Sequence, residues 1–300
     1  MFPCTHGALG ALGFLTSYFA LQALAGVRPL RLDSRGAVGA VTIALWLLFV
    51  RLLDDVHDAP QDIRLGKAGD PRYRNRPLVT GEVELGEVRG LAVGIGLLLV
   101  ALAGSFGPGP MLVALLGGLA VTWLGFRWFF VRSWARHPPP AAYLARKSLA
   151  VLLGGYAVVV FLERWPAAAL TLWTIPVLLA PIFAIGAWEI ARKIRLPADE
   201  TEYGTYSKQF GWRRAALLPL GFALLTVGCL VPAGMAAGLE GLAVLRLLLP
   251  LGPLGFAVGR LLLHPTAAHA DLRRWAEAFA GALNGVLLLS LVSRHGFQLG

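Results

Sequence analysis

An apolar run passes without a break into an acidic one at residues 37–62. The first part reads Ala37-Val-Gly-Ala-Val-Thr-Ile-Ala-Leu-Trp-Leu-Leu-Phe-Val50, with no charged residue. The second part reads Arg51-Leu-Leu-Asp54-Asp55-Val-His57-Asp58-Ala-Pro60-Gln-Asp62. A continuous apolar run without period-2 alternation is typical of a helix that crosses a membrane. The stretch therefore predicts a transmembrane helix whose end carries four carboxylates.

The composition of the whole chain favours a membrane protein. Of its 300 residues, 57% are hydrophobic and 15% are charged, whereas soluble domains have about 45–50% apolar and about 25% charged residues. The apolar runs predict an all-α polytopic bundle of nine transmembrane helices in a single domain, and they disfavour a β-barrel. The predicted spans are 7–25, 37–53, 88–105, 110–130, 142–162, 168–190, 214–233, 239–262 and 275–293.

The basic residues predict the orientation of these spans. With the N-terminus inside, 21 of the 27 Lys and Arg residues lie on the inner face, as the positive-inside rule requires. The net charge of +10 is accounted for in this way, so we expect no nucleic-acid partner. The first apolar stretch has no basic leader or cleavage signal before it and is taken as a retained span. We therefore expect a protein of the cell (inner) membrane, with its N-terminus cytoplasmic and its C-terminus outside.

The acidic residues collect in two places. Twelve of the 17 lie after the second or the sixth predicted span, four helices apart. This pattern predicts two four-helix repeats plus a ninth helix, with one polar site for each repeat. The alternative is coincidence, because any multi-span protein with long inner loops places charge there.

The first acidic cluster has the spacing of one helix face. Asp54, Asp58 and Asp62 recur at intervals of four, and Asp55 precedes Asp58 by three, so all four can lie on one side. Pro60 is expected to bend or end the helix. Carboxylates at a membrane edge need a partner, and Mg²⁺ takes one or two of them together with substrate phosphates. The alternative is a solvated helix end that is neutralised by Arg51, Arg64 and Lys67.

A cluster of arginines follows the acidic cluster. The segment reads Arg72-Tyr-Arg74-Asn75-Arg76-Pro77-Leu78-Val-Thr-Gly81. The planar guanidinium group suits phosphate oxygens, although an ordinary loop on the inner face would also hold arginines.

The two segments together are similar to the first signature of the UbiA superfamily of intramembrane prenyltransferases. That signature reads Asn-Asp-x-x-Asp-x-x-x-Asp and is followed by Arg-Pro-Leu-x-x-Gly. The chain matches both parts in order, after the second of nine spans, with Asp54 in place of the usual Asn.

The second signature of the family is only partly present. The segment 188–211 ends in Gly204-Thr205 and Gly211, which resembles the family pattern. Of the expected Asp-x-x-x-Asp, however, Glu189 stands first and Lys193 stands last. Either Glu189 still helps to bind a metal while Arg192 and Lys193 replace the second ion, or this half has lost its metal site. The acids Asp199, Glu200 and Glu202 beyond Pro197 could supply ligands or simply solvate the loop.

The resemblance implies Mg²⁺-dependent transfer of an isoprenyl group from a prenyl diphosphate to a small aromatic or lipid acceptor within the membrane. The alternative is a non-catalytic cation- or lipid-binding protein or transporter of the same fold; transport is disfavoured because Asn284 is the main polar residue inside a span. Aromatic and basic residues at 126–147 predict an interfacial belt or a cap over the site. The resemblance assigns catalysis to Asp55, Asp58, Arg76 and Lys193, donor binding to Arg51, Arg72, Asn75, Arg192, Tyr206 and Lys208, and metal binding to Asp54, Asp55, Asp58, Asp62 and Glu189.

Overall fold

The computed structural model of the chain describes residues 3–69, 73–125, 148–200 and 205–300. These parts are helical apart from loops, one 3₁₀ turn at Pro197–Asp199 and two short strands, β1 (Leu30–Leu32) and β2 (Phe297–Leu299). The helices are α1 (Pro3–Leu24), α2 (Ser34–Lys67), α3 (Pro77–Thr80), α4 (Leu85–Gly104), α5 (Pro110–Leu124), α6 (Ser148–Arg164), α7 (Thr174–Ala191), α8 (Tyr206–Phe210), α9 (Trp212–Ala236), α10 (Leu242–Arg246), α11 (Leu251–Leu263), α12 (Ala267–Ala270) and α13 (Arg273–His295).

The prediction of an all-α polytopic bundle is confirmed. Within the described ranges, seven helices or consecutive helix pairs are long and apolar enough to cross a membrane. The predicted spans 110–130 and 142–162 correspond to α5 and α6, which flank the part of the chain outside the description. Each of the nine predicted spans therefore overlaps a helix.

Large apolar side chains cover the outside of the bundle. Leu97, Val113 and Leu289 are each about two-thirds exposed, at 67%, 67% and 68%. Exposed apolar surface of this kind is unfavourable in water and marks contact with another apolar phase. The outward face of the helices therefore fits the hydrocarbon of a bilayer.

Helices that cross the bundle one after the other along the chain pack on each other. Helix α1 packs on α2, α2 on α4, α4 on α5, α5 on α6, α6 on α7, α7 on α9 and α9 on α11. Helix α13 packs on both α11 and α1, and α1 also contacts α6 and α7. Helix α1 therefore lies at the centre of the bundle, and the division into two four-helix units plus a ninth helix stays a prediction.

Helix α2 is longer than its apolar run. Its 34 residues span about 51 Å, whereas the hydrocarbon core of a bilayer is about 30 Å thick. The predicted span ends at residue 53, but the helix continues through Pro60 to Lys67. Hydropathy marks where the chain leaves lipid and not where the helix ends. The four aspartates therefore lie on a continuous helix that extends beyond the apolar layer.

The other end of the bundle is tied together by backbone pairing. Strand β1 pairs in parallel with β2, with Leu30 opposite Phe297. The amide of Gln22 bonds both the backbone N–H and the carbonyl of Arg31, at 2.8 and 2.9 Å. This end carries neither of the two acidic motifs.

Candidate active site

Both acidic motifs lie at one end of the bundle, where α1, α4, α9 and α13 begin and α2 and α7 end. We call this end the mouth. It contains the acidic face of α2, formed by Asp54, Asp55, Asp58 and Asp62, and the basic end of α7, formed by Glu189, Arg192 and Lys193.

The carboxylates of the acidic face differ in exposure. Asp54 and Asp55 are half-buried, Asp58 is exposed and Asp62 is buried. Arg51 Nη2 lies 2.7 Å from Asp55 Oδ1, one helical turn away. Along the helix, the acidic face therefore changes from half-buried to exposed, and its last residue, Asp62, is buried against the following loop.

Asp62 binds the loop that carries the arginines. Arg76 Nη1 donates a hydrogen bond to Asp62 Oδ2 within an ion pair. The Arg76 guanidinium also lies over the Tyr73 ring, 4.6 Å from its centroid. The carbonyl of Arg76 accepts from the N–H groups of Val79 and Thr80, which starts α3. These contacts hold the Arg-Pro-Leu turn against α2.

The donor set fits one particular kind of Mg²⁺ site. In the parts of the chain that the structure describes, no three His, Cys, Asp or Glu side chains are placed to hold an ion by themselves. Neither Asp54 nor Asp58 takes part in an ion pair with another described residue, and they lie one turn apart on α2. Mg²⁺ is commonly held by one or two carboxylates and completes its octahedron with water and phosphate oxygens. The residues present therefore fit an ion shared with a phosphate group better than an all-protein cage.

The basic end of α7 is a compact ion-paired group. Glu189 is buried, and its Oε1 lies 2.8 Å from Lys193 Nζ while its Oε2 lies 2.6 Å from Arg192 Nε. The Arg192 guanidinium lies over the Trp188 ring, 5.1 Å from its centroid. Both oxygens of Glu189 therefore hold cations in place, and the group carries a net positive charge.

The loop after α7 is ordered by its own polar groups. Thr205 accepts from the Lys208 N–H at the start of α8, and its hydroxyl donates to Glu200 at 2.7 Å. Ser207 Oγ accepts from the Arg195 N–H at 2.8 Å. Glu200 therefore orders the loop, while Asp199 is exposed.

Two predicted donor-binding residues belong to this loop. Tyr206 is buried, whereas Lys208 is exposed and lines a cavity of about 260 Å³ together with Arg195 and Trp212. Asn75 is exposed in the turn before α3. Arg72, Glu202 and the predicted belt or cap at 126–147 lie outside the described residues.

Electrostatic interactions join the acidic face to the basic end. Arg192 acts on the charge of Asp54, and both Arg51 and Arg192 act on His6 of α1. The His6 ring meets the Trp188 ring edge-on, with 5.0 Å between centroids. His6 thus stands between the two motifs, and sequence reasoning missed it because no spacing pattern connects residue 6 to residue 188.

Asn284 does not reach into the site. Its side chain donates to the Ala280 carbonyl of its own helix at 2.8 Å, and the contact with α1 comes from Thr16, whose hydroxyl donates to the Asn284 carbonyl.

Comparison with known proteins gives likeness in structure alone. No protein-family model matches the chain, and no curated protein matches its sequence. A UbiA homologue from Aeropyrum pernix K1, in its apo form, superimposes with a TM-score of 0.65 at 16% identity, covering 94% of this chain and 97% of that one. A digeranylgeranylglyceryl phosphate synthase superimposes with a TM-score of 0.55 at 15% identity, covering 97% of this chain and 94% of that one. The chain therefore has the fold of the UbiA homologues, the superfamily that its two motifs resemble.

Proposed function

We propose that the chain transfers an isoprenyl group from a prenyl diphosphate to an aromatic or lipid acceptor, in a Mg²⁺-dependent reaction at the mouth. One observation carries the proposal: the acidic face of α2 and the basic end of α7 lie at the same end of a bundle with the UbiA fold. The second structural neighbour, which is named as a digeranylgeranylglyceryl phosphate synthase, supports the same class of enzyme.

The donor diphosphate would lie between the two motifs. Asp54 and Asp58 would hold the Mg²⁺ ion, and Asp55 is oriented by Arg51. When bound, Mg²⁺ supplies Lewis-acid neutralisation of the charge that develops on the leaving diphosphate. Arg76 and Lys193 are fixed by Asp62 and Glu189, so their positive charge is already in position when the bond breaks.

The bundle provides the second requirement, which is exclusion of water. Bond cleavage leaves positive charge on the allylic carbon of the donor, and the acceptor attacks that carbon and then loses a proton. Water would capture the same carbon. A prenyl tail that lies among apolar helices and a site at the edge of the membrane keep the reacting carbon in an apolar environment.

A non-catalytic binding protein is the second candidate. The observation that favours it is the ion pairing of Asp55, Asp62 and Glu189, which leaves fewer carboxylates for metal ions than a site with two complete acidic motifs would have. Such a protein would bind a prenyl diphosphate or a cation and release no product.

The test uses purified protein in lipid nanodiscs with Mg²⁺, prenyl diphosphates of several lengths, and aromatic and glycerol-phosphate acceptors. Diphosphate release and prenylated product are followed by mass spectrometry. We expect both to appear with Mg²⁺ and to stop with EDTA. Binding of donor without any diphosphate release, across the whole panel, would establish the non-catalytic candidate instead.

A further inference from the structure

A second polar cluster lies beside the basic end of α7, and the reaction proposed above gives it no role. It consists of His6 at the start of α1, Trp188 at the end of α7, and Arg273 and Glu277 at the start of α13. Glu277 Oε1 accepts from both Trp188 Nε1 and Arg273 Nε, each at 3.0 Å. The His6 ring packs edge-on against Trp188. Three helices thus fix the four side chains at the mouth.

Two polar atoms of this cluster have no partner. His6 Nε2 and Arg273 Nη2 are buried and make no hydrogen bond within the described ranges of the chain. Folded proteins pair almost all buried polar atoms, so each exception calls for an explanation. A guanidinium group is always charged and can only donate. Its Nε donates to Glu277, whereas its buried Nη2 needs an oxygen that the described part of the protein does not provide.

The surroundings of the cluster favour an anion. Four charged groups act electrostatically on His6. One is the acid Glu277, and the other three are the cations Arg273, Arg51 and Arg192. Arg273 is also the first residue of α13, and the residue before it, Leu272, provides no side-chain cap. Helix N-termini carry partial positive charge and unpaired N–H groups. The cluster lies at the starts of α1 and α13, and the charged groups around it are three cations and one acid. These surroundings indicate a binding site for a negatively charged oxygen.

We propose that His6 and Arg273 form an oxyanion subsite that binds a carboxylate or phosphate group of the acceptor substrate. This inference rests on the proposed function, because it takes the donor to occupy the space between the acidic face and Lys193. The acceptor would then enter from the side of α1 and α13, with Trp188 as the shared wall between the two substrates. Glu277 is a positioning residue here, since it holds the guanidinium while Nη2 faces the acceptor.

The direct test is binding of small anions to the purified protein in nanodiscs, in the absence of donor. The probes are 4-hydroxybenzoate, phenyl phosphate and the uncharged methyl 4-hydroxybenzoate. We expect Arg273→Gln and His6→Phe to weaken binding of at least one anionic probe by about tenfold or more, because a charge-assisted hydrogen bond is lost. Binding of the methyl ester is expected to be the same in all variants.

A neighbouring arginine provides the matched control. Arg274 lies on the same helix with its side chain 84% exposed and pairs with Asp271, so Arg274→Gln should bind the anionic probes like the wild type. Arg273→Lys keeps the charge and removes the fork, and we expect an affinity between those of the wild type and Arg273→Gln. Thermal unfolding of each variant separates loss of the subsite from loss of the fold.

Three results would overturn the inference. They are failure of both anionic probes to bind the wild type, equal probe affinity for the wild type and a folded Arg273→Gln variant, and a loss of prenyl diphosphate affinity in Arg273→Gln, which would assign the oxyanion to the donor. Failure of the proposed function is a separate result, since it appears as absent diphosphate release by a wild-type protein that still binds the probes through Arg273.

Discussion

Individual carboxylates at the mouth fall into two groups according to their partners. Asp62 and Glu189 are buried, and each is neutralised by a cation. Asp54, which is half-buried, and Asp58, which is exposed, take part in no ion pair with another described residue. A buried carboxylate needs its partner, whereas a more exposed one remains available to a metal ion. We infer that the first group positions cations and the second group binds the ion.

Removal of the cation that neutralises Asp62 should destabilise the protein. Arg76→Ala leaves a buried carboxylate without its donor, so we expect a loss of about 1–3 kcal/mol in the free energy of unfolding, measured by SDS titration. The exposed neighbour Arg74 is the control, and Arg74→Ala should change stability by about 0.5 kcal/mol or less. Equal losses in the two variants would show that the Asp62 ion pair does not stabilise the loop.

Lys193 separates the two interpretations of the altered second motif. Lys193→Asp would place a second carboxylate one turn from the buried Glu189 and remove a fixed cation. We expect diphosphate release to fall by about tenfold or more, with Lys193→Arg retaining most of it. The measurement is steady-state release at saturating Mg²⁺. A gain of activity in Lys193→Asp would instead identify the position as a lost metal ligand.

For individual residues, the sequence predicts which residue types form the site better than it predicts which side chains contact each other. The spacing of Asp54, Asp58 and Asp62 was sufficient to predict a single helix face. The partner of Asp62 is Arg76, fourteen positions away across a loop, and no periodicity selects it from the other arginines. The contact of His6 with Trp188 joins two ends of the chain and depends on tertiary packing. The spacing of Arg273 and Glu277, which is i to i+4, was the one signal of that cluster visible in the sequence.

Among the helices, the contact that the Trp46 side chain of α2 makes with α5 depends on a glycine. A Cβ atom at Gly118 would lie 2.0 Å from Trp46 Cη2, well inside van der Waals contact. Trp46 is buried, and its Nε1 donates to Thr122 Oγ1 at 3.2 Å, one turn from Gly118 on α5. The indole therefore fills the space that a side chain at 118 would need.

A methyl group at this position should be costly. For Gly118→Ala we expect a loss of about 1–3 kcal/mol in the free energy of unfolding, because Trp46 must move and its hydrogen bond to Thr122 must lengthen or break. The adjacent Gly117 has no atom within 4 Å of its would-be Cβ. Gly117→Ala should be neutral or slightly stabilising, because alanine favours a helix. The two variants are compared by thermal unfolding in the same detergent, and equal behaviour would contradict the packing described.

The length of α2 shows why the hydropathy of the sequence predicts where a helix lies but not where it ends. The apolar run identified the span correctly, because it reflects contact with lipid. Hydropathy gives no sign of the further turns, about four, between residue 53 and Lys67, where the helix is polar and contains Pro60. Those turns are the ones that carry the acidic face, so the most functional part of the helix lay beyond the predicted boundary.

For the molecule as a whole, the nine predicted spans and the distribution of basic residues predict that the mouth lies on the cytoplasmic side. This orientation is a proposal that cysteine labelling can test. In a background without Cys4 and Cys229, Lys67→Cys lies at the mouth and Glu240→Cys lies at the other end, where the Glu240 side chain is 77% exposed. In intact cells, a membrane-impermeant maleimide should label Glu240→Cys at once and Lys67→Cys after permeabilisation alone. The reverse order would place the mouth outside.

The most direct test of the central claim is Mg²⁺-dependent diphosphate release from geranylgeranyl diphosphate, or from the donor found in the panel, by wild type and Asp58→Asn. Glu240→Gln, at the opposite end of the bundle, is the control. We expect the wild type and Glu240→Gln to release diphosphate with the same Mg²⁺ dependence and to stop in EDTA, and Asp58→Asn to be slower by about 100-fold with unchanged thermal stability. Release that persists in EDTA, or a folded Asp58→Asn variant that matches the wild type at every Mg²⁺ concentration, would contradict the claim that the acidic face of α2 binds the ion that draws diphosphate from the donor.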